Sequence, residues 1–539
     1  MRVLVVGGTG GFGSIIARHL ADDGHKVCAA GRDKNRGSTF TKNNPDIGFA
    51  VHDRSRIKPD DLANFDIVVD ASGPFQKADL SLPTAAIAAG IDYLDIADDR
   101  HFIRNVATLD KQAKQAGVRV IPGVSSIPTL SGAVSLQLAQ GMTEVEAVEI
   151  AISASSQAAF GNAVLLSMLE GAGQPIRRSD GSSGTAMTDM RPIKIDRAGA
   201  DLQRSVLEVD SPDHDTLPSL LLGNPSIRFY AGSELAIHNY AMSAIAFLVS
   251  HNVVAIGTRF LSLARLARRI SGSAGDGRSG MQVRITGMHE GKRVRRTWSV
   301  LAERNMGPII PCLGIPAMVQ AISANRVSPG AGPRVDILAP DEILSRMPAG
   351  SISIEIMREP ASLYARAMSD FKNLDPSVHA MHDQPLPAIA KGRAKVTRGT
   401  SLIARLVAGI FGFPAASDDT EVSVHFEKIG EKERWTRDFG GKTFSSILSQ
   451  RPGGVCETFG PFTFDFQLRE RDGELAMVPA GWSLLSIPLP RWLMPSGIAA
   501  EVERDGRFTF DVPIILPIVG LVVHYQGWLE PDKRNGNEG

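Results

Sequence analysis

The stretch that decides the fold is GGTGGFG, Gly7 to Gly13. Five glycines in seven residues carry a heavy backbone-entropy cost. Before them, Val3-Leu4-Val5-Val6 reads as a short strand, apolar on both faces. After them, Phe12 to Asp23 reads as a helix, with Ile15, Ile16 and Leu20 at helical spacing and Gly24 closing it. Lys26 to Ala30 is a second strand. In that context Gly8, Gly10 and Gly13 fit G-x-G-x-x-G, and Gly7, Gly10 and Gly13 fit G-x-x-G-x-x-G. The first glycine permits the tight turn, Gly10 lets the backbone approach a pyrophosphate, and Gly13 lets the helix lie close to the sheet. The free N–H groups at the helix start suit phosphates. The expected contacts are Gly7, Gly8, Thr9, Gly10, Gly11, Phe12 and Gly13.

The end of the second strand selects the dinucleotide. An NAD site usually carries Asp or Glu there for the ribose 2′-hydroxyl. Here the chain reads AAGRDKNR: Gly31 leaves room, Arg32 follows, and Lys34 and Arg36 stand nearby. This favours NADP, with Arg32 on the 2′-phosphate, although Asp33 is placed to turn toward the ribose. Asp53, after the third strand Gly48–Val51, is either an adenine contact or a plain cap. The fourth strand, Asp66 to Ala71, runs into Ser72, Gly73 and Pro74, small residues that let the chain pass under a cofactor.

Helices at Leu82–Ala89 and Leu109–Gln115 alternate with strands at Tyr93–Ile96 and Arg119–Ile121. Repeated βα alternation over some 130 residues is the pattern of a Rossmann-like doubly wound parallel sheet in an α/β fold. Ligands of such sheets lie at the strands' carboxyl ends, where Ser72, Gly73, Asp98, Ser125 and Ser126 fall.

The 539 residues imply several domains. With 58 basic and 58 acidic side chains, no net field favours nucleic acid. Cys28, Cys312 and Cys456 lie too far apart for a disulfide framework or zinc site, so no metal and a reducing cytoplasm are expected. The hydrophobic run at Val3 is broken after four residues, unlike a signal peptide. Ala241–Leu261 and Val512–Val523 are apolar but interrupted, and short of a clean span of about 20 residues. Buried core is the favoured reading of both. Peripheral membrane contact stays open for the first, since Arg265, Arg268 and Arg269 follow it.

Short-chain dehydrogenases also begin with glycine-rich turns but use a tyrosine with a lysine four residues on. None of the five tyrosines here has that lysine. The motifs GGTGGFG, AGRDKNR, VVDASGPF, GIDYLDIADD and GVRVIPGVSSIP, with AAFGNAVLLSMLEG and GKRVRRTWSVLAERNMGPIIPCLGIPAMVQAI further on, resemble the saccharopine dehydrogenase-like (saccharopine reductase-like) family over about residues 1 to 357. That resemblance implies a nicotinamide-dependent oxidoreductase acting on imine, enoyl or related substrates. It also implies an order of parts: residues 1–131 as the NADP-binding domain, 132–308 as an α/β substrate-side domain, and 309–360 as a segment returning to the first. In the middle part, Met281–Thr286 and Val294–Leu301 read as a hairpin, Ile315–Asn325 as the returning helix, and Gly272–Gly280 as a mobile loop.

Hydride transfer that leaves charge on carbon or oxygen needs a proton source. Asp98, Tyr93, Ser125 and His238 are the catalytic candidates, and each also has an ordinary reading as a cap or a satisfied core polar group. A substrate carboxylate would meet arginine, and Arg100, Arg104 and Arg334 are available.

Composition shifts near residue 360. Residues 361–380 are expected to be a linker, 381–530 a β-rich domain, and 531–539 a disordered tail. Ser362–Phe371 reads as a helix, and strands dominate from Thr420. Val422, Val424 and Phe426 alternate with polar residues, as do Phe462, Phe464, Phe466 and Leu468. Turns at Asp472-Gly473 and Asp505-Gly506 argue for an antiparallel meander, economically a half-open or closed barrel. RWTRDFGGKTFSS, GPFTFDFQL and PIVGLVVHYQGWL resemble domain of unknown function 4166, over about 370 to 530, which adds no activity. Trp435, Arg437 and Phe439 share a strand face. There the arginine either snorkels at a rim, the favoured reading, or pairs inside, with Glu457 or an acidic ligand. Small barrels also enclose apolar ligands. The leading expectation is an NADP-dependent oxidoreductase, cytoplasmic, as a possible homodimer, with a small-molecule or lipid-like substrate. The alternatives are an NADP(H)- and apolar-ligand-binding protein without catalysis, and a membrane-surface interaction protein.

Overall fold

The computed structural model describes residues 1–156, 171–195, 202–254, 275–429, 431–451, 453–485 and 487–532. They form two compact units, Met1–Glu290 with Arg296–Arg358, and Gly291–Arg295 with Glu359–Gly539.

The first unit opens with strand β1 (Arg2–Val6), helix α1 (Gly11–Asp22) and strand β2 (Lys26–Gly31). Strands β3 (Gly48–Val51), β4 (Ile67–Asp70), β5 (Asp92–Asp95) and β6 (Arg119–Ile121) follow. The seven-stranded parallel sheet runs Gly330–Ala331, β6, β5, β4, β1, β2, β3. Its order reverses between β1 and β4, the crevice where doubly wound sheets bind ligands. Leu4, Val6, Val68, Tyr93 and Val120 share one buried cluster on this sheet. On α1, Ile16, Ala17 and Leu20 face inward. The seventh strand comes from the chain's return, and so does helix Ile310–Ser323, which is buried on nearly every side and packs on α1. There the Cys312 thiol lies 3.7 Å from the Phe12 carbonyl oxygen.

The second sheet is mixed. It runs Met190–Ile195, Leu202–Glu208, Ser226–Ser233, Glu144–Ala154, Ser279–His289, Lys292–Ala302 and Ile352–Pro360. Ser226–Ser233 pairs in parallel with Glu144–Ala154. The expected hairpin is present, longer at both ends, with Gly291 in the left-handed conformation its turn requires. Of the glycine-rich stretch 272–280, residues 272–274 lie outside the described residues, and the rest is held by Asp276, which pairs with Arg204 and Arg278 while its N–H donates to Glu234.

The second unit is an antiparallel barrel. Strands Ala388–Arg398, Ser417–Ile429, Lys432–Phe439, Lys442–Arg451, Gly454–Phe459, Phe462–Arg471, Glu474–Leu484, Ala499–Arg504, Arg507–Leu516 and Gly520–Pro531 pair in chain order. The last strand pairs with the first, so these ten strands close the ring. Closure leaves no unpaired edge and buries one face of every strand. Val422, Val424, Phe426 and Leu468 are inside, as the alternation predicts.

Residues 361–380 are not a linker. Helices Leu363–Ala367 and Pro376–His382 put Leu363, Tyr364, Val378 and Met381 into the barrel core. Pro376 sits at a helix start, and Pro385 and Pro387 lie in the approach to the first strand, where a missing N–H costs little. Of the expected tail 531–539, Pro531 ends the last barrel strand and Asp532 pairs with Lys391. Residues 533–539 lie outside the described residues. Val512–Val523 holds the end of one barrel strand and the start of the next, with Val522 and Val523 buried, while the turn between them exposes Ile518, unlike the expected core. The described part of Ala241–Leu261 differs from the expected core: it lies in helix Ala236–Ser250 with Phe247 and Leu248 exposed. Arg265, Arg268 and Arg269 fall outside the described residues, as does most of AAFGNAVLLSMLEG. Among the described residues, no helix is long and apolar enough to cross a membrane.

Candidate functional site

The crevice is built on β1. Gly7 adopts φ +77°, and its N–H donates to Ala30 O at 2.9 Å, tying the turn to β2. Gly8 N donates to Val5 O at 3.0 Å, and a Cβ there would meet Ala29 Cβ at 2.7 Å. Gly10 caps α1 without a side chain. A Cβ on Gly13 would run into the backbone of Gly7. The glycines therefore divide the work: Gly7 turns, Gly8 and Gly13 allow contact between layers, and Gly10 leaves the helix mouth bare. The first intrahelical bond is Ser14 N to Gly10 O, so the N–H groups of Gly11, Phe12 and Gly13 point out of the helix start unspent. Thr9 and Phe12 flank that mouth, partly exposed.

Beyond β2, Gly31 faces Thr9, and Arg32 is exposed with no hydrogen bond among the described residues. Asp33 is committed elsewhere: it caps helix Lys34–Asn43, accepting from Arg36 N at 3.1 Å. Asp53 likewise caps a short turn, accepting from Ser55 N and Oγ. Those bonds hold its carboxyl below the usual range, with Arg32 and Arg56 adding attraction. Ser72, Gly73 and Pro74 leave β4 beside the glycine turn, and a Cβ on Gly7 would strike Ala71 and Ser72. Asp70 anchors this passage by accepting from Ser72 N at 3.0 Å. Asp70 is itself fully buried, and Arg54 covers it at 2.6 Å while also pairing with Asp79. Arg54 and Asp70 were missed in the sequence. The legible signal was a carboxylate ending an otherwise apolar buried strand, which requires a partner.

The acid candidates separate by burial. Tyr93 is fully buried in the sheet core, out of a substrate's reach. Ser125 is buried, its N–H donating to Gly123 O at 2.8 Å, with Ser126 partly exposed beside it. His238 lies on helix Ala236–Ser250, in the layer of the second sheet, its Nδ1 3.2 Å from Ser233 Oγ, and burial lowers its pKa. Asp98 is exposed at the mouth beyond β5. The surrounding protein pushes its carboxyl up, Asp99 adds repulsion, and a Gln76 hydrogen bond partly offsets both. Of the arginines, Arg100 is spent: it pairs with Asp215 and Asp210 and donates to Arg177 O. It ties the β5 loop to the second sheet's layer. Arg104 touches His101, and Arg334 lies near Asp110.

Family comparison decides what the crevice belongs to. Residues 3–121 match the saccharopine dehydrogenase NADP binding domain. Residues 374–529 match domain of unknown function 4166. A trans-acting enoyl reductase of Mycobacterium tuberculosis is 31% identical over 138 residues, 24% of this chain and 33% of that protein. Its counterpart in Mycobacterium bovis aligns equally. The chain thus spans about a third of the length of these curated relatives. Among solved structures, apo saccharopine dehydrogenase (L-Glu forming) from Saccharomyces cerevisiae covers 66% of this chain and 99% of its own, at 12% identity and a TM-score of 0.44. GenD2 from gentamicin A biosynthesis, in complex with NAD, covers 64% and 90%, at 13% identity and a TM-score of 0.31. The chain has oxidoreductase-family homology, and NADP is the cofactor of its N-terminal domain type.

Within this NADP-binding domain, Asp95 locks the site's floor. Its Oδ1 accepts from Ala97 N at 2.9 Å and Gly123 N at 2.8 Å, and complete burial raises the carboxyl to about 7. The unfolded chain ionises near 3.8, so between those values the folded state holds the extra proton and stability falls as pH rises. Asp95→Asn keeps the oxygen acceptor and removes the titration. Its stability relative to wild type is expected to be roughly 2–4 kcal/mol higher at pH 8 than at pH 4. Urea unfolding at both pH values measures this, and an equal effect at both refutes it. Behind Arg100, His214 is buried and lowered to about 4 by loss of solvation, while Asp213, held by Ser131 and Ser211, is raised to about 6 by burial.

In the barrel, the favoured snorkelling reading of Arg437 is overturned. Its Nη2 donates to Glu457 at 2.9 Å and its Nη1 to Ser446 at 2.8 Å. Trp435 and Phe444 lie under the guanidinium at 5.3 and 5.8 Å. Register makes the pair: Arg437 faces Phe444 on the next strand, and Glu457 lies one strand further on the same inner face.

Proposed function

We propose that the chain is an NADP(H)-dependent oxidoreductase that moves hydride to or from an imine, enoyl or related substrate. The observation that carries this reading is the helix mouth of α1 beside Arg32, which makes no hydrogen bond among the described residues, with Asp33 and Asp53 both serving as caps. In this reading the N–H groups of Gly11, Phe12 and Gly13 hold the diphosphate, and Arg32 holds the 2′-phosphate. Ser72, Gly73 and Pro74 form the floor under the cofactor, with Arg54 and Asp70 fixing their position. The cofactor would supply or accept the hydride. Asp98, exposed at the mouth beyond β5 with its carboxyl pushed above the usual range, is the group placed to give a proton to substrate. An iminium substrate needs little of that help, whereas an enoyl substrate needs it fully.

A charge-assisted hydrogen bond is worth roughly 1.5–3 kcal/mol. Arg32→Ala is therefore expected to weaken NADPH binding about ten- to a hundredfold and NADH binding hardly at all. Equal losses for both cofactors would refute the role of Arg32. The activity itself is tested by following NADPH oxidation over pools of imines, enoyl thioesters and ketones. NADPH binding without turnover on any pool leaves a nucleotide-binding protein in place of the enzyme.

A further inference from the structure

The barrel holds a cavity of about 400 Å³, within the range of small-molecule sites. Its wall is aromatic, with Phe439, Phe464, Phe466 and Trp482 among the lining residues; Arg437 and Glu457 form an ion pair inside it, and Glu501, held by His382, also lines it. The pair is neutral as a whole. Arg437 Nε and the second oxygen of Glu457 make no hydrogen bond among the described residues, leaving donor N–H groups of the guanidinium beside an acceptor oxygen for a ligand. An uncharged polar group satisfies both, whereas a carboxylate would face Glu457.

The two barrel ends differ. At one end the turns are short and polar, including Glu431, Asp472-Gly473 and Asp505-Gly506. That end is covered by the segment around helix Pro376–His382, where Asp375 N donates to Gly473 O at 2.9 Å and Ser377 N to Glu503 at 2.7 Å. At the other end, besides the tight turns 440–441 and 460–461, the connections 399–416, 485–498 and 517–519 are apolar. Helix Leu402–Ile410 turns Val407 toward the cavity, yet exposes Leu402 (82%), Ile403, Leu406 and Ile410 (72%) on its outer side. The connection 485–498 exposes Leu485, Ile487, Trp492 and Ile498, and the connection 517–519 exposes Ile518 (91%). Pro495, Ser496 and Gly497 of that same end line the cavity.

A helix apolar on both sides belongs in a core or in a membrane boundary. The connections 399–416, 485–498 and 517–519 contain Arg405 and Arg491 and no Asp or Glu. The exposed Asp418 and Asp419 beside them are paired with Lys395 and Arg393, which leaves Arg405 and Arg491 as the cations of the connections; with the exposed apolar side chains and Trp492 they match an anionic lipid surface. We infer that this barrel docks its apolar end on an anionic bilayer and takes into its cavity a single-chain lipid with an uncharged polar head.

Full-length chain is mixed with vesicles of phosphatidylcholine, with and without phosphatidylglycerol, and sedimented. It is separately titrated with a fluorescent monoacylglycerol and the matching fluorescent fatty acid. Wild type is expected to sediment with the phosphatidylglycerol vesicles and to bind the monoacylglycerol at least about tenfold tighter than the acid. Leu406→Asp with Ile518→Asp changes only exposed side chains, and should abolish sedimentation while leaving monoacylglycerol binding intact. Val512→Trp, or Ala499→Phe should the first misfold, fills the cavity and should weaken the monoacylglycerol about tenfold or more while sedimentation persists. NADPH titration of every variant separates failure here from failure of the nucleotide reading. The inference is overturned if wild type ignores both vesicles. It is equally overturned by loss of neither activity in the variants, or by a concentration-dependent dimer that the double aspartate variant dissociates, which makes the apolar end a self-interface.

Discussion

Gly10→Val is expected to raise the NADPH dissociation constant about a hundredfold or more while the protein stays folded. A Cβ at Gly10 meets only Gly7 O, at 3.0 Å, so the backbone absorbs the first added carbon with a small shift. The valine methyls then project over the mouth of α1, where the N–H groups of Gly11 to Gly13 would receive a diphosphate. Gly13→Ala is the contrast. Its Cβ would sit 2.7 Å from the carbonyl carbon of Gly7, so helix α1 must move off the sheet. That variant should lose NADPH binding and thermal stability together. Fluorescence titration with NADPH and a melting curve on each variant separate the two. Binding by Gly10→Val within about threefold of wild type would show that the diphosphate does not lie there.

Arg54→Met should cost about 3–5 kcal/mol of folding stability, because it strands a buried carboxylate. Asp70 is fully buried, and its near partner is the Arg54 guanidinium at 2.6 Å. Burial lowers the favourability of the charged arginine, but Asp70, Tyr93 and Asp79 outweigh that and hold the guanidinium protonated. Removing it leaves the Asp70 charge with Ser72 alone, and the passage Ser72–Pro74 loses its anchor. Arg54→Met combined with Asp70→Asn should recover most of the stability, since no charge then remains buried. Urea unfolding of the single and double variants gives the coupling. A loss below about 1 kcal/mol in the single variant would place the pair among ordinary surface ion pairs.

How far the sequence carried can be followed at particular residues. The strand, turn and helix around Gly7–Gly13 were readable because glycine spacing and apolar periodicity are local, and the observed β1 and α1 differ from the reading by a residue. The Asp-Gly hairpins of the barrel were readable for the same reason. Asp33 was ambiguous, since a carboxylate after β2 serves equally well as a ribose contact or as a cap. In the fold it accepts from Arg36 N and caps the next helix. Arg100 looked free for a substrate, and its acidic partners Asp210 and Asp215 lie over a hundred residues away. Residues 361–380 looked like a linker because composition shifts there, while their apolar side chains had no visible core to enter until the ring of strands closed around them.

The sequence by itself determined the elements, the glycine turn and its bare helix mouth, and the alternation of inward and outward residues along the barrel strands. Each follows from backbone sterics and from periodicities shorter than a single element. Tertiary structure alone decided which carboxylate meets Arg54, Arg100 or Arg437, that ten strands close, and that one barrel end is apolar outside as well as inside. Those outcomes depend on strand register and chain return across long separations. Buried charges choose partners there by the cost of remaining unpaired, a cost that exists only once the core has formed.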